Sequence, residues 1–342
     1  MRTVVQKFQL RQLLFFVALI LLSFLILKNL GRFGVFIDLI KNVNIVVLSL
    51  ILPIRYLSYW TNTRYFEKYF SIMNKKIEHR RLFRAVIAMN FVNTVFPLGS
   101  ISGTTFLARE LKDEVSSKTT TIGQVVYQGL SAVAYLSFMV IAFVLLLLSN
   151  QINRAGFRFI LFLVFGIIIA GVVVLLLILN RKLSESILLI STRPVNAILR
   201  RFGKNSLSKK NLRLFIDEFY TTGTRLLKDY KSLEKPFWYV WQGVFWEVAS
   251  IYVVALAFQQ IINPGVIIAA YIMSLLFSLL SIFTAGVGVY EATMVAVFVA
   301  LGLPFTSAVS ITIVYRVMAM WIFLPFGLWA YRGTALGAKN GK

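Results

Sequence analysis

The sequence predicts an all-α, polytopic membrane protein, and three observations predict it. Hydrophobic residues make up 58% of the 342 and charged residues only 14%, where a soluble domain carries about 25% charged. Mean hydropathy is +0.79. The apolar residues also come in unbroken blocks, such as 13–27, 133–148 and 157–179, suited to helices that cross a hydrocarbon core of about 30 Å. No water satisfies the backbone inside such a core, so the blocks must be helical. A membrane β-barrel would be written in short alternating segments instead, and the sequence has none.

Charge orients the helices. The formal net charge is +23, but in so apolar a chain basic residues set orientation and attract anionic headgroups rather than nucleic acid. Most of them collect in two segments, 61–84 and 181–235. The positive-inside rule puts both in the cytoplasm with the two termini, in a multi-pass protein of the cell membrane. The connections 28–42, 150–158 and 262–265 carry fewer basic residues and face outward. The first run, 12–27, follows Arg2, Lys7 and Arg11 as a signal sequence would, yet no small-x-small cleavage site follows Leu27. It is expected to stay as an anchor.

Taken in order, the elements are six spans and two broken hairpins in a single integral membrane domain, 1–342. Span 12–27 goes out and 43–59 returns. The stretch 85–108 is interrupted by Pro97, Gly99 and Gly103, and proline with glycine breaks a helix, so it reads as a re-entrant hairpin. Re-entry lets 122–148 go out and 157–180 come back to the second basic segment. Within that segment, apolar residues of 207–233 recur at helical spacing opposite basic ones, as in a helix lying on the membrane surface. Span 237–262 goes out, and 266–301 is broken at Gly286 and Gly288. The last span, 305–331, ends at Arg332. Each hairpin precedes a span with related residues, Val125-Val126-Tyr127-Gln128 and Ile313-Val314-Tyr315-Arg316. The hairpins enter from opposite faces, the pattern of an inverted-topology repeat with its site between the halves.

Ionisable groups in a bilayer cost roughly 2.5–3.5 kcal/mol each and so line cavities or pair. Glu291, Arg316 and Glu247 are the candidates, with Asn93 before the first break and Gln128 matched to Arg316. Glu291 and Arg316 read as a gate or headgroup site, or else as a fixed ion pair. Of the two, Arg316 is taken to bind phosphate through an unshared guanidinium. Glu247 reads as a proton- or cation-coupled group, or as a buried hydrogen-bonded carboxyl. Tyr56, Tyr59, Trp60, Trp238, Trp241, Trp329 and Tyr331 fit an interfacial aromatic belt. His79, in a basic loop, is expected to be solvated. There is no cysteine and one histidine, so no metal-ligand cluster is expected. Neither a nucleotide loop nor a nucleophile elbow occurs, so no cofactor and no enzyme are expected.

Several of these residues form an ordered series. They are Asn90-x-x-Asn93-x-x-x-Pro97-x-Gly99-x-x-x-Gly103, then Gly286-Val287-Gly288-Val289-Tyr290-Glu291, Ala300-Leu301-Gly302-Leu303-Pro304 and Tyr315-Arg316. From about Arg84 onward the chain resembles the lysylphosphatidylglycerol synthase transmembrane-region family, the flippase-like membrane proteins. Ile282-Phe283-Thr284-Ala285 stands where the family usually has prolines. The resemblance implies handling of a lipid with an anionic or zwitterionic headgroup. Aminoacylated or glycosylated phospholipids and polyprenyl-phosphate-linked intermediates are examples. The chain ends at Lys342, without the soluble aminoacyl-transferase domain of bifunctional members, so no lysyl transfer is expected. Membrane lipids are the expected partners. The alternative is a non-transporting accessory subunit of a membrane glycosyltransferase or lipid-modifying enzyme.

Overall fold

The computed structural model describes residues 41–95, 101–149, 229–280 and 288–334, and a few single positions between 180 and 221. The expected spans 12–27 and 157–180 and nearly all of the surface helix 207–233 lie outside the described residues. Among those described there is no strand. The helices are α1 (Ile45–Ser49), α2 (Ile51–Ile72), α3 (His79–Val95), α4 (Ile101–Glu110) and α5 (Ser117–Leu148) in the first half. The second half has α6 (Glu234–Ala257), α7 (Pro264–Leu280), α8 (Val289–Ala300), α9 (Phe305–Arg316) and α10 (Leu324–Arg332). Among the described residues, four continuous stretches are long and apolar enough to cross a membrane: Ile45–Ile72, Ser117–Leu148, Lys231–Ala257 and Phe305–Arg332. The protein is an all-α, polytopic membrane protein.

Local chemistry fixes the helix ends. The Asn44 side chain accepts from the Val47 N–H at 3.1 Å, and Ser116 Oγ from the Thr119 N–H at 3.1 Å. Each satisfies a first-turn donor that has no partner in the helix. Helix α8 stops at Gly302, which has φ +98°. There the Gly302 N–H donates to Val299 O and the Leu303 N–H to Phe298 O, and Pro304 opens α9. The Ala-Leu-Gly-Leu-Pro series is thus a Schellman stop followed at once by a helix start.

Helix α2 runs well past its expected end at residue 59, through to Ile72. The cause is an aromatic face: Tyr65, Phe66, Tyr69 and Phe70 are all buried. The Tyr65 hydroxyl donates to Gly123 O at 2.6 Å, and a Cβ on Gly123 would lie 2.5 Å from the Tyr69 ring. Basic residues on the opposite face made this stretch look like a loop. His79 keeps a solvent-exposed side chain, as expected, and also has a partner, with its Nδ1 3.0 Å from Glu67 Oε2. It opens α3, which closes on α2 within a short turn.

Both halves read helix, hairpin, helix, and the two interlock. Helices α2 and α6 lie antiparallel, with Asn44 against Ala257, Arg55 against Glu247 and Trp60 against Tyr239. The first hairpin, α3–α4, packs by α3 along α10, where Gly327 admits the Phe91 side chain. The second, α7–α8, packs by α7 along α5. There Asn263 Nδ2 donates to Leu145 O at 3.2 Å and Tyr135 meets Tyr271. Each hairpin therefore lies on the closing helix of the other half. One limb of each is short: α4 has 10 residues and α8 has 12, about 15–18 Å at 1.5 Å per residue, little more than half of a hydrocarbon core.

Candidate functional site

Arg55 of α2 and Glu247 of α6 face each other near the middle of their spans. Arg55 Nη1 donates to Glu247 Oε1 at 2.5 Å, Ser58 Oγ donates to the same oxygen at 2.9 Å, and Tyr315 Oη donates to Oε2 at 3.1 Å. Arg55 is buried and the Glu247 side chain 21% exposed, so the pair is largely screened from solvent and its carboxylate accepts three hydrogen bonds. Of the two readings of Glu247, the hydrogen-bonded carboxyl describes its contacts. Beside the pair is a cavity of about 150 Å³ lined by Tyr59, Asn62, Asn90, Tyr127, Tyr135 and Tyr271 among others. Helices α2, α3 and α5 wall it from one half, α6 and α7 from the other. Tyr127 and Tyr315, the tyrosines of the two related tetrapeptides, both come to this centre.

A second pair lies one residue along α9. Arg316 Nε donates to Glu291 Oε1 at 2.5 Å, and the guanidinium sits 4.5 Å from the Tyr290 ring centroid. The other oxygen, Glu291 Oε2, accepts from the Gly288 N–H at 2.6 Å. This explains the spacing Gly288-x-x-Glu291: a glutamate at the third helical position folds back on the N-cap backbone. Gly288 itself has φ +87°, a value glycine adopts without the penalty other residues incur. The guanidinium expected to be unshared is shared through Nε. Its terminal nitrogens make no hydrogen bond among the described residues. The two pairs are joined through adjacent residues of α9, since Tyr315 donates to Glu247 and Arg316 to Glu291. Directly after Arg316 the helix widens into a π turn, Val317–Trp321, a feature frequent at functional sites.

The remaining expected residues divide. Asn93 Oδ1 accepts from the Gly103 N–H at 2.7 Å, so it staples α3 to α4. Gly103 is required there, because a Cβ would come 2.5 Å from Met89 O. Gln128 is exposed on α5 beside Tyr127 and does not line the cavity. Pro97, Gly99 and Gly286, with the departure at 282–285, lie outside the described residues. Of the aromatic residues expected in an interfacial belt, Tyr56, Trp238 and Trp329 are exposed. Tyr59 instead lines the cavity, and Trp241 Nε1 turns inward to Ser137 Oγ at 3.1 Å. Arg55, Tyr135 and Tyr271 were not among the expected site residues. Arg55 carried a signal, an arginine inside an apolar span. The tyrosines carried none that distinguished them from packing residues.

The sequence profile of the lysylphosphatidylglycerol synthase TM region matches residues 2–327. The chain belongs to this family. The match takes in both hairpins, both ion pairs and every wall of the cavity. No curated protein matches the chain. Membership ties the bundle to lipid handling, and among the described residues the site above gathers two ion pairs and a polar cavity.

Proposed function

We propose that this family member is a lipid translocase for a lipid with an anionic or zwitterionic headgroup. The observation that carries the reading is the placing of two ion pairs and a polar cavity near mid-span, walled by both halves of the bundle. Buried charges of this kind are costly in a bilayer and are kept where a pathway needs them. The interlocked hairpins fit an inverted-topology repeat, whose halves rock about a central site. In this reading the terminal nitrogens of Arg316 take the phosphate and Glu291 releases or recaptures the guanidinium as the second hairpin moves. Both termini and the basic segments 61–84 and 181–235 face the cytoplasm.

The test is reconstitution of the purified protein in liposomes carrying fluorescent anionic lipids, followed by dithionite quenching. Wild type should expose inner-leaflet lipid faster than protein-free vesicles, and Arg316→Ala should abolish the excess while keeping the wild-type melting profile. Arg316→Lys, which keeps the charge, serves if the alanine variant does not fold. No lipid crossing above the empty-vesicle rate, with a glycosyltransferase co-purifying, would instead favour the accessory-subunit reading.

A further inference from the structure

The cavity itself has a chemistry that the phosphate contact does not use. Its walls are hydroxyls, carboxamides and aromatic rings, from Ser58, Asn62, Asn90, Tyr127, Tyr135 and Tyr271. The two charged groups in its lining neutralise each other, and Glu247 already accepts from Arg55, Ser58 and Tyr315. The lining therefore carries no net negative charge to draw in an ammonium. A cavity of about 150 Å³ has room for one six-membered ring. Tyrosine rings offer flat apolar faces to C–H groups while their hydroxyls and the carboxamides exchange hydrogen bonds with O–H groups. Asn62 Oδ1 and Arg55 Nε, on lining residues, are buried without a partner, an acceptor and a donor unmatched. A polyol can satisfy both kinds of group, because each hydroxyl donates and accepts. An ammonium cannot accept and a phosphodiester anion cannot donate.

We infer that this cavity takes the uncharged, hydroxyl-bearing part of a lipid headgroup, a glycerol or a single sugar ring, and discriminates against an aminoacylated one. The inference rests on the translocase reading only for how the lipid arrives. Binding tests it separately.

The purified full-length protein would be equilibrated in nanodiscs holding equal amounts of a glucosylated phosphatidylglycerol, phosphatidylglycerol and lysyl-phosphatidylglycerol. Retained lipid would be read by native mass spectrometry. At least one of the first two should be retained about tenfold over the lysyl lipid, and which one identifies sugar or glycerol as the group bound. Tyr127→Phe and Asn90→Leu should each reduce that preference roughly three- to tenfold, the worth of a neutral hydrogen bond. Melting curves check that both variants fold, and Asn90→Asp serves if the leucine variant does not. A lysyl lipid retained equally or better, or no preference among the three, overturns the inference. Headgroup preference without any lipid crossing in liposomes leaves the inference standing and removes the translocase reading. Crossing without preference does the reverse.

Discussion

A guanidinium and a carboxylate 2.5 Å apart in the middle of an apolar bundle are costly to separate and less costly to replace together. Removing one partner leaves the other charged, buried and unmatched, which costs roughly 3–5 kcal/mol in buried pairs. Glu247 offers three donors their only shared acceptor, so Glu247→Leu strands Ser58 and Tyr315 as well as Arg55. Glu247→Leu and Arg55→Met should therefore each destabilise strongly, with the double variant recovering most of the loss. Unfolding curves in mixed micelles measure all four corners of that cycle. Simple addition of the two losses would show that the pair is not coupled. The same cycle tests function, because a stable apolar double variant that no longer moves lipid would place the pair in the pathway.

Among helices, the hairpins depend on close approach rather than on side-chain bulk. Gly103 brings α4 against α3, so that an added Cβ would lie 2.5 Å from Met89 O and 2.6 Å from the Asn93 side chain. A backbone oxygen cannot yield as a side chain can, so Gly103→Ala should destabilise by about 1–3 kcal/mol, the usual range for overpacking. Gly129 in α5 is the contrast, with nothing within 4 Å of its added Cβ. There alanine should stabilise by roughly 0.5–1 kcal/mol, because glycine loses more backbone entropy in a helix. Melting temperatures of the two variants moving in opposite directions is the expected result. A shared direction would mean that helix propensity, not hairpin contact, governs both.

At the scale of the molecule, the proposed topology has an address for every connection. Single cysteines at Lys75 and Ser206 should stay unlabelled by impermeant thiol reagents in intact cells, and one at Asn153 should label, since the chain has no cysteine of its own. Labelling of Ser206→Cys from outside would reverse the second basic segment and with it the re-entry of the first hairpin. Labelling of Lys75→Cys would turn over α2 and α3 together, because their connection spans only residues 73–78.

Composition and hydropathy by themselves determined the class, because a bilayer core leaves an apolar chain of this kind no alternative to helices. Glycine and proline marked both hairpins, since backbone freedom and a missing donor are written in residue identity. Glu247, Glu291 and Arg316 stood out because charge in hydrocarbon is conspicuous in any order of residues. What only the tertiary structure decided is who meets whom. The Arg55–Glu247 pair joins residues 192 positions apart, the cavity takes a wall from each half, and four tyrosines turn inward where the sequence could not tell lining from packing. The end of α2 was hidden for the same reason. Its buried aromatic face is defined by α5, and a helix lengthens as far as a partner helix covers it.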